Sequence, residues 1–164
     1  MSEDYVDEAE HYEAMSETGF WGRQGAGCII FAEDTGRFLL SLRSAEVLEP
    51  HTWGIWGGAV PTGMDLQTSV RLEVLEETGY RGRIELIELC EYRDVASGFR
   101  YQNYLGVVPS EFDPMLNWES DDARWFHAGS WPEPPHFGLE FLLSRFPDPS
   151  SAMAASHLRS TPRG

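Results

Sequence analysis

Residues 70–80 read VRLEVLEETGY and place three glutamates in a stretch that otherwise has the pattern of a half-buried amphipathic helix. At about 100° per residue, Glu73, Glu76 and Glu77 fall within an arc of roughly 100°, whose edge overlaps the apolar positions of the helix. Like charges at this spacing destabilise a helix by about 0.2–0.5 kcal/mol per pair, and partial burial adds a desolvation cost. The spacing alone favours a solvated acidic face over a metal site, so a metal site needs support from other parts of the sequence.

The ends of this helix are marked in the sequence. Asp65 is a favourable N-cap, and the helix is predicted to run to about Thr78. Gly79 is suited to the left-handed position that follows a helix, and Tyr80 can pack back against the last turn.

Apolar and β-branched runs predict strands on both sides of the helix. These runs cover residues 28–32, 38–42, 83–92, 99–108 and 123–127, with short strands in HTWGIWGGAV (51–60). A second helix is predicted at 139–146, after the proline-rich stretch WPEPPHFG. The order of elements predicts an α/β fold in which helices pack on a mixed sheet.

The 164 residues divide into three predicted regions: an acidic N-terminal segment at 1–20, one domain at 21–146 and a flexible C-terminal tail at 147–164. Residues 1–19 carry seven acids and no arginine. They are expected to form a peripheral helix or a solvated tail.

Composition excludes several functions. A hydrophobic content of 41% predicts a globular chain, and a net charge of -15 argues against broad contact with nucleic acid or with anionic membranes. All twelve basic residues are arginines, so lysine-dependent phosphate loops and Schiff-base chemistry are excluded. Cys28 and Cys90 lack metal-ligand spacing and are expected to be free thiols in a cytoplasmic protein.

Read with the loop before it, the segment 58–80 resembles the Nudix box. That signature is a glycine, five residues, a glutamate, seven residues, arginine-glutamate, an aliphatic residue, any residue, two glutamates, any residue, a glycine and an apolar residue. The matching positions here are Gly58, Glu73, Val74, Glu76, Glu77, Gly79 and Tyr80. The broader resemblance covers residues 25–146 and implies a Nudix-like α/β/α sandwich with a mixed β-sheet.

Two positions depart from the signature, since Met64 replaces the first glutamate and Leu72 replaces the arginine. In the family these residues usually form a salt bridge that braces the loop against the helix. Replacing both partners with apolar residues can be neutral or stabilising, whereas losing one strands a charge. We therefore interpret Met64 and Leu72 as an apolar replacement of this salt bridge that leaves the three later glutamates in place.

The resemblance implies a metal-dependent pyrophosphohydrolase that cleaves a nucleoside diphosphate linked to another group, by in-line attack of water on phosphorus. Oxygen ligands without nearby His or Cys suit Mg2+ or Mn2+. Glu73, Glu76 and Glu77 would hold the ions with help from the Gly57 or Gly58 carbonyl. Glu76 is the favoured general base within the box, and Glu119 is the best candidate outside it.

Three further residues are candidates for substrate binding. Arg43 ends a strand near the double glycine and could contact phosphate, although a surface role fits it almost as well. Trp53 and Trp56 could stack on a base, but a tryptophan beside a glycine turn is more often part of the core. A small-molecule nucleotide substrate, no membrane partner and a possible homodimer are expected.

Two rival functions remain open at this point. A Nudix-fold sensor would bind a nucleotide or sugar nucleotide without cleaving it, but such drift normally erodes the acids that are retained here. An acidic interaction module would act through residues 1–19 and would not need the box glutamates. Nucleoside triphosphates, ADP-ribose, sugar nucleotides and dinucleoside polyphosphates all remain possible substrates.

Overall fold

The computed structural model describes residues 24–155, which form a mixed sheet with helices on both faces. The strands are β1 (Gln24–Ala32), β2 (Arg37–Arg43), β3 (Trp53–Gly54), β4 (Trp56–Ala59), β5 (Glu85–Asp94), β6 (Phe99–Val108) and β7 (Ser120–Phe126). The helices are α1 (Leu66–Thr78) and α2 (Phe137–Arg145), followed by a 3-10 turn at Pro149–Ser151. The fold is therefore the predicted α/β architecture. No helix in this part of the chain is long and apolar enough to cross a lipid bilayer.

The sheet divides along β1. One edge of β1 pairs with β6 in parallel over its whole length. Along the other edge, the first half of β1 pairs with β4 from Gly25 to Cys28, and the second half pairs with β2 from Ile30 to Ala32. β2 continues outward to β3 and β7, so β2 and β4 diverge near the middle of β1. The candidate site lies at this opening.

Alternating residues of the central strands face opposite helices, as the period of a strand requires. Cys28 and Ile30 join the core under α1, together with Val70 and Val74 of that helix. Ile29 and Leu105 join the core under α2, together with Leu139 and Leu142. These two layers make the sandwich, and they fix α1 and α2 against opposite faces of the divided sheet.

The ends of α1 agree with the sequence prediction. The Asp65 carboxylate accepts a hydrogen bond from the Thr68 amide at 3.0 Å, a cap that stabilises a helix by about 1 kcal/mol. Gly79 adopts a left-handed φ of 72°, and its amide donates to the Leu75 carbonyl at 2.8 Å. The helix is thereby held in register with the loop before it.

Several elements differ from the predicted boundaries by a few residues. β1 includes the glycines of QGAG, which the predicted strand left out and which allow β4 to approach closely, and α2 begins at Phe137 because His136 caps it. The first residues of the predicted tail form the 3-10 turn, in which Pro149 is buried. The acidic segment 1–20 and residues 156–164 lie outside the described residues. Cys28 and Cys90 are both free thiols.

Candidate active site

Glu77 is the most buried acid of α1, with 6% of its surface exposed. It lies one and two turns from Val74 and Val70 on the face that packs on the sheet. Its carboxylate accepts a hydrogen bond from the Gly57 amide at 2.9 Å. Burial, followed by the charges of Glu119 and Glu73, raises the pKa of Glu77 well above the usual range. Glu77 is therefore on the buried stripe of the helix, and the solvated-face interpretation does not apply to it.

Glu73 lies one turn earlier, against the backbone of Gly58. A Cβ added at Gly58 would lie 3.0 Å from a carboxylate oxygen of Glu73, so only a glycine gives this carboxylate its full space. Burial, then the charge of Glu76, then that of Glu119, raises the pKa of Glu73 to about 7. The double glycine thus contacts two carboxylates, Glu77 at Gly57 and Glu73 at Gly58.

Glu119 reaches the same place from the loop before β7. Its amide donates to the Asn117 side chain at 3.0 Å, and its carbonyl accepts from the Ser44 amide at 2.9 Å. Its side chain is hydrogen-bonded to the Glu77 carboxyl group, an arrangement that raises the pKa of Glu77. We call Glu73, Glu77 and Glu119, with Gly57 and Gly58, the carboxylate end of the cleft.

Glu76 occupies a different position from the other acids of α1. Its side chain is exposed, and its charge contributes to the raised pKa of Glu73. Glu77 and Glu119 line the cleft. Glu73 lies beside them against Gly58; the charge of Glu119 raises its pKa, and its own charge raises that of Glu77. Glu76 neither lines the cleft nor contributes to the raised pKa of Glu77. The structure therefore brings Glu73, Glu77 and Glu119 together and leaves Glu76 at the edge of the group.

The carboxylate end fits a hard divalent cation in its chemistry. All of its side-chain ligand atoms are carboxylate oxygens. Burial, and then the charges of neighbouring acids, raise the pKa of Glu73 and of Glu77, and a bound cation would offset both effects. Within residues 24–155, no three His, Cys, Asp or Glu side chains are already arranged to hold an ion. Side-chain rotation, a fast motion, would have to complete the ligand set.

Arg43 ends β2 and lines the same cleft as Glu77 and Glu119. Two nitrogens of its guanidinium donate to the Leu48 carbonyl, at 2.9 and 2.5 Å. Its stem lies against Gly54 beside His136. The Leu48 carbonyl thereby fixes the orientation of the planar guanidinium on the cleft wall, and its contact with phosphate stays a prediction.

His136 lies beside Arg43, and its pKa is shifted from the ordinary value. Burial and the charge of Arg43 lower the pKa of His136 to about 4, although a Glu49 carboxylate oxygen lies 3.0 Å from Nε2. The imidazole is therefore neutral at neutral pH. Nδ1 accepts from the Gly138 amide at 3.0 Å, so His136 caps α2.

The two tryptophans proposed as stacking residues lie in the core, and this corrects the prediction for them. Trp56 is 1% exposed, and its indole nitrogen donates to the Leu39 carbonyl at 2.9 Å. Trp53 is 8% exposed and packs edge-on against Phe126 at 5.2 Å. Their rings fill the space between sheet and helix, as the alternative interpretation expected, and neither lines the cleft.

Aromatic residues from other elements line the cleft instead. They come from β5, β6 and α2: Tyr92, Phe99, Tyr101, Phe137 and Phe141. Tyr92 lies opposite Tyr101 in the β5–β6 pair, and it contacts Phe137 and Phe141 edge-on at 5.9 and 5.2 Å. We call these five residues the aromatic end of the cleft. The aromatic richness of 99–108 was visible in the sequence, but it indicated only a strand.

Met64 and Leu72 are 36% and 44% exposed. An apolar pair at these positions strands no buried charge, and a salt bridge there would be partly solvated and weak. That these departures leave the carboxylate end intact stays a prediction.

Comparison with known proteins agrees with this geometry. A family model described as "NUDIX domain" matches residues 21–137. A MutT NUDIX hydrolase from Burkholderia pseudomallei has a similar structure, with a TM-score of 0.59, 24% identity and coverage of 76% of this chain and 97% of that chain. The Nudix hydrolase RenU from M. smegmatis gives a TM-score of 0.60 at 17% identity, covering 88% and 91%.

A third similar structure is a C. elegans Ap4A hydrolase binary complex, with a TM-score of 0.57, 18% identity and coverage of 83% of this chain and 98% of that chain. At these identities, the structural likeness shows the fold alone. The comparison with curated proteins gives no match.

Proposed function

This chain belongs to the Nudix family and is a hydrolase acting on phosphoric anhydride bonds, and we propose that it is a pyrophosphohydrolase dependent on Mg2+ or Mn2+. Its substrate in this proposal is a nucleoside diphosphate linked to another group. Water attacks one phosphorus of the diphosphate in line, and the phosphate on the far side of the broken bond leaves.

The observation that carries the proposal is the convergence of Glu77 and Glu119 at the opening of the sheet. Glu77 is held there by the Gly57 amide, and the Glu119 carboxyl group is hydrogen-bonded to it from a separate loop. Isolated buried carboxylates are costly, so acids packed in this way indicate a site that binds cations.

In the proposed reaction, Glu73, Glu76 and Glu77 hold the ions, with the Gly57 or Gly58 carbonyl as a further ligand. A bound divalent cation neutralises phosphate charge and lowers the pKa of the attacking water. Glu119 lies at the cleft wall and accepts the proton from that water. Glu76 is the alternative base, but its exposed position at the edge of the group favours a ligand role.

Arg43 acts in this proposal on a substrate phosphate. The chain has no lysine, and Arg43 lines the cleft together with Glu77 and Glu119. A guanidinium is suited to bidentate phosphate contact, which would orient the diphosphate for attack.

The experiment is hydrolysis of a panel with Mg2+ and with Mn2+. The panel contains nucleoside triphosphates, ADP-ribose, a sugar nucleotide and diadenosine tetraphosphate, the last because one similar structure is an Ap4A hydrolase. The variant is Glu77→Gln, and the matched control is Glu85→Gln, which removes one charge at an exposed position on β5.

We expect cleavage of at least one compound, with a fall in kcat/KM of about 100-fold or more in Glu77→Gln and little change in Glu85→Gln. A chelator should abolish cleavage. Binding of a panel member without cleavage under any metal, unaffected by Glu77→Gln, would overturn the proposal in favour of a nucleotide sensor.

A further inference from the structure

Asn103 lines the cleft and carries a polar atom that has no partner in the described part of the chain. The residue lies on β6 opposite Gly27 of β1, and it is 2% exposed. Its side-chain nitrogen donates to the Cys90 carbonyl at 3.2 Å, but its Oδ1 accepts no hydrogen bond. Most buried polar atoms in folded proteins are satisfied, so this acceptor calls for an explanation.

The orientation of the Asn103 amide is fixed by its neighbour. The Cys90 carbonyl can only accept, so the amide nitrogen must face it and Oδ1 must point the other way. A bulge in β5 between Glu88 and Cys90 places that carbonyl opposite Asn103. Asn103 therefore lines the cleft and holds a buried, unused acceptor, which a group in the cleft would reach only after neighbouring side chains move.

The aromatic end surrounds this position. Tyr101 lies two residues before Asn103 on the same face of β6, and Tyr92 lies opposite Tyr101. The Tyr101 hydroxyl lies 2.5 Å from where a Cβ on Gly57 would be, so the aromatic end adjoins the carboxylate end. A ligand with its phosphates at Glu77 and Arg43 would extend its other end over these rings.

Resting on the proposed function, we propose that the aromatic end binds the nucleobase of the substrate and that Asn103 Oδ1 accepts a hydrogen bond from an exocyclic amino group of that base. The substrate class is then a nucleotide of adenine, cytosine or guanine. An amino group projects beyond the ring and can enter a recess. The ring N–H of uracil is flanked by two oxygens that would approach Oδ1, so that base is disfavoured.

Entry of a base requires a ring of the aromatic end to move, because Asn103 is nearly covered. Phe137 is the most exposed of these rings, at 48%, and stands at the first position of α2. Its rotation would open the cleft without disturbing the core, since side-chain rotation at an exposed position is fast.

The test compares nucleotides that differ only in the amino group, using the full chain with Glu119→Gln, which removes the proposed base and keeps the proposed metal ligands, so that turnover does not interfere. Calorimetry would measure, with Mg2+, adenosine against purine riboside, cytidine against 2-pyrimidinone riboside and guanosine against inosine, all as 5′-triphosphates. The same pairs would then be measured with Asn103→Leu added, a change that removes the amide and keeps similar volume.

We expect at least one amino-bearing nucleotide to bind about 10- to 100-fold more tightly than its partner, and Asn103→Leu to reduce that ratio to near one. Equal affinities within all three pairs would overturn the inference, and this arm needs no change at Asn103. A ratio that survives Asn103→Leu, in a variant with unchanged circular dichroism, would also overturn it.

The outcome is separate from that of the proposed function. Base selectivity is measured as a binding ratio, whereas hydrolysis is measured with the panel. A selective chain that cleaves nothing would contradict the hydrolytic proposal and leave the base site standing, and a hydrolase with no selectivity within the pairs would do the reverse.

Discussion

The two ends of the cleft are built in different ways. The carboxylate end draws Glu73 and Glu77 from one helix and Gly57 and Gly58 from β4, the strand just before it, and the Gly57 amide bonds to Glu77 at 2.9 Å. Glu119 is its one member from a distant part of the sequence, the loop before β7. The aromatic end draws on β5, β6 and α2, and its rings meet only because the sheet and the second helix are packed. The comparison teaches that the carboxylate end, apart from Glu119, depends on local spacing, whereas the aromatic end depends entirely on tertiary structure.

The largest effect is expected from Gly57→Ala, which would disrupt the packing of the carboxylate end. Gly57 has a φ of 156°, and an added Cβ would lie 2.3 Å from the Ala26 carbonyl oxygen and 2.5 Å from the Gly27 Cα. We expect a loss of about 3 kcal/mol or more in the free energy of unfolding, measured by urea denaturation.

The control for that change is Gly63→Ala. Gly63 has a φ of 84°, but nothing lies within 4 Å of an added Cβ, so only backbone strain of about 1 kcal/mol is expected. Equal losses in the two variants would show that the close packing around Gly57 does not matter.

The second prediction concerns pH and the metal-free protein. The pKa of Glu73 rises from 4.5 to about 7 on folding, so this group stabilises the fold below pH 4.5, and that stability is lost as the pH rises to 7. Relative to Glu73→Gln, the wild type should lose about 2–3 kcal/mol of unfolding free energy across this range.

The comparison with Glu73→Gln is needed because His136 changes the free energy of unfolding with pH in the opposite direction. Its pKa falls from 6.5 to about 4 on folding, so its contribution rises with pH across that interval, equally in both proteins. Denaturation curves at several pH values would give the difference, and parallel curves for wild type and Glu73→Gln would contradict the account.

The third prediction tests the aromatic end through Phe137→Ala. The ring is 48% exposed and contacts Tyr92, so its removal should cost little stability while weakening nucleotide binding by about 5- to 10-fold. Fluorescence or calorimetric titration would measure the change in affinity for a nucleotide of the panel that the wild type is found to cleave. Val95→Ala, at a 95% exposed turn position, is the control, and similar affinities in the two variants would argue against a base site.

The smallest effect is expected from restoring the usual family brace with Met64→Glu and Leu72→Arg together. Both positions are more than a third exposed, so the new salt bridge should change the unfolding free energy by less than about 1 kcal/mol. Thermal unfolding would measure it. A gain well above this value would mean that the apolar pair had weakened the helix contact.

The contrast between the two ends of the cleft also explains which features could be predicted from the sequence. The caps Asp65 and Gly79 are local signals that the structure confirms. The spacing of the three glutamates is local too, but the structure brings only Glu73 and Glu77 together and leaves Glu76 exposed. The order of apolar runs was enough for a mixed sheet with helices packed on it, whereas helices on both faces were implied by the resemblance to the Nudix family.

Other features could not be read locally. Glu77 is buried and Glu76 is exposed because of the way α1 is rotated on the sheet. The helical period showed only that the arc holding the glutamates overlaps the apolar positions, and it could not separate the two residues. Trp56 looked available for stacking beside Gly57, but its indole turns inward to the Leu39 carbonyl. Asn103 meets Cys90 through a bulge, for which the sequence has no clear signal.

The most direct test of the central claim is calorimetric titration of Mn2+ into the wild type, Glu77→Gln and Glu85→Gln. The two variants lose the same charge, one from the buried carboxylate end and one from an exposed site on β5. The account predicts binding at least about 10-fold weaker in Glu77→Gln and unchanged in Glu85→Gln, since a lost ligand costs far more than a screened distant charge. Equal Mn2+ affinity in all three proteins would contradict the assignment of the metal site to the carboxylate end.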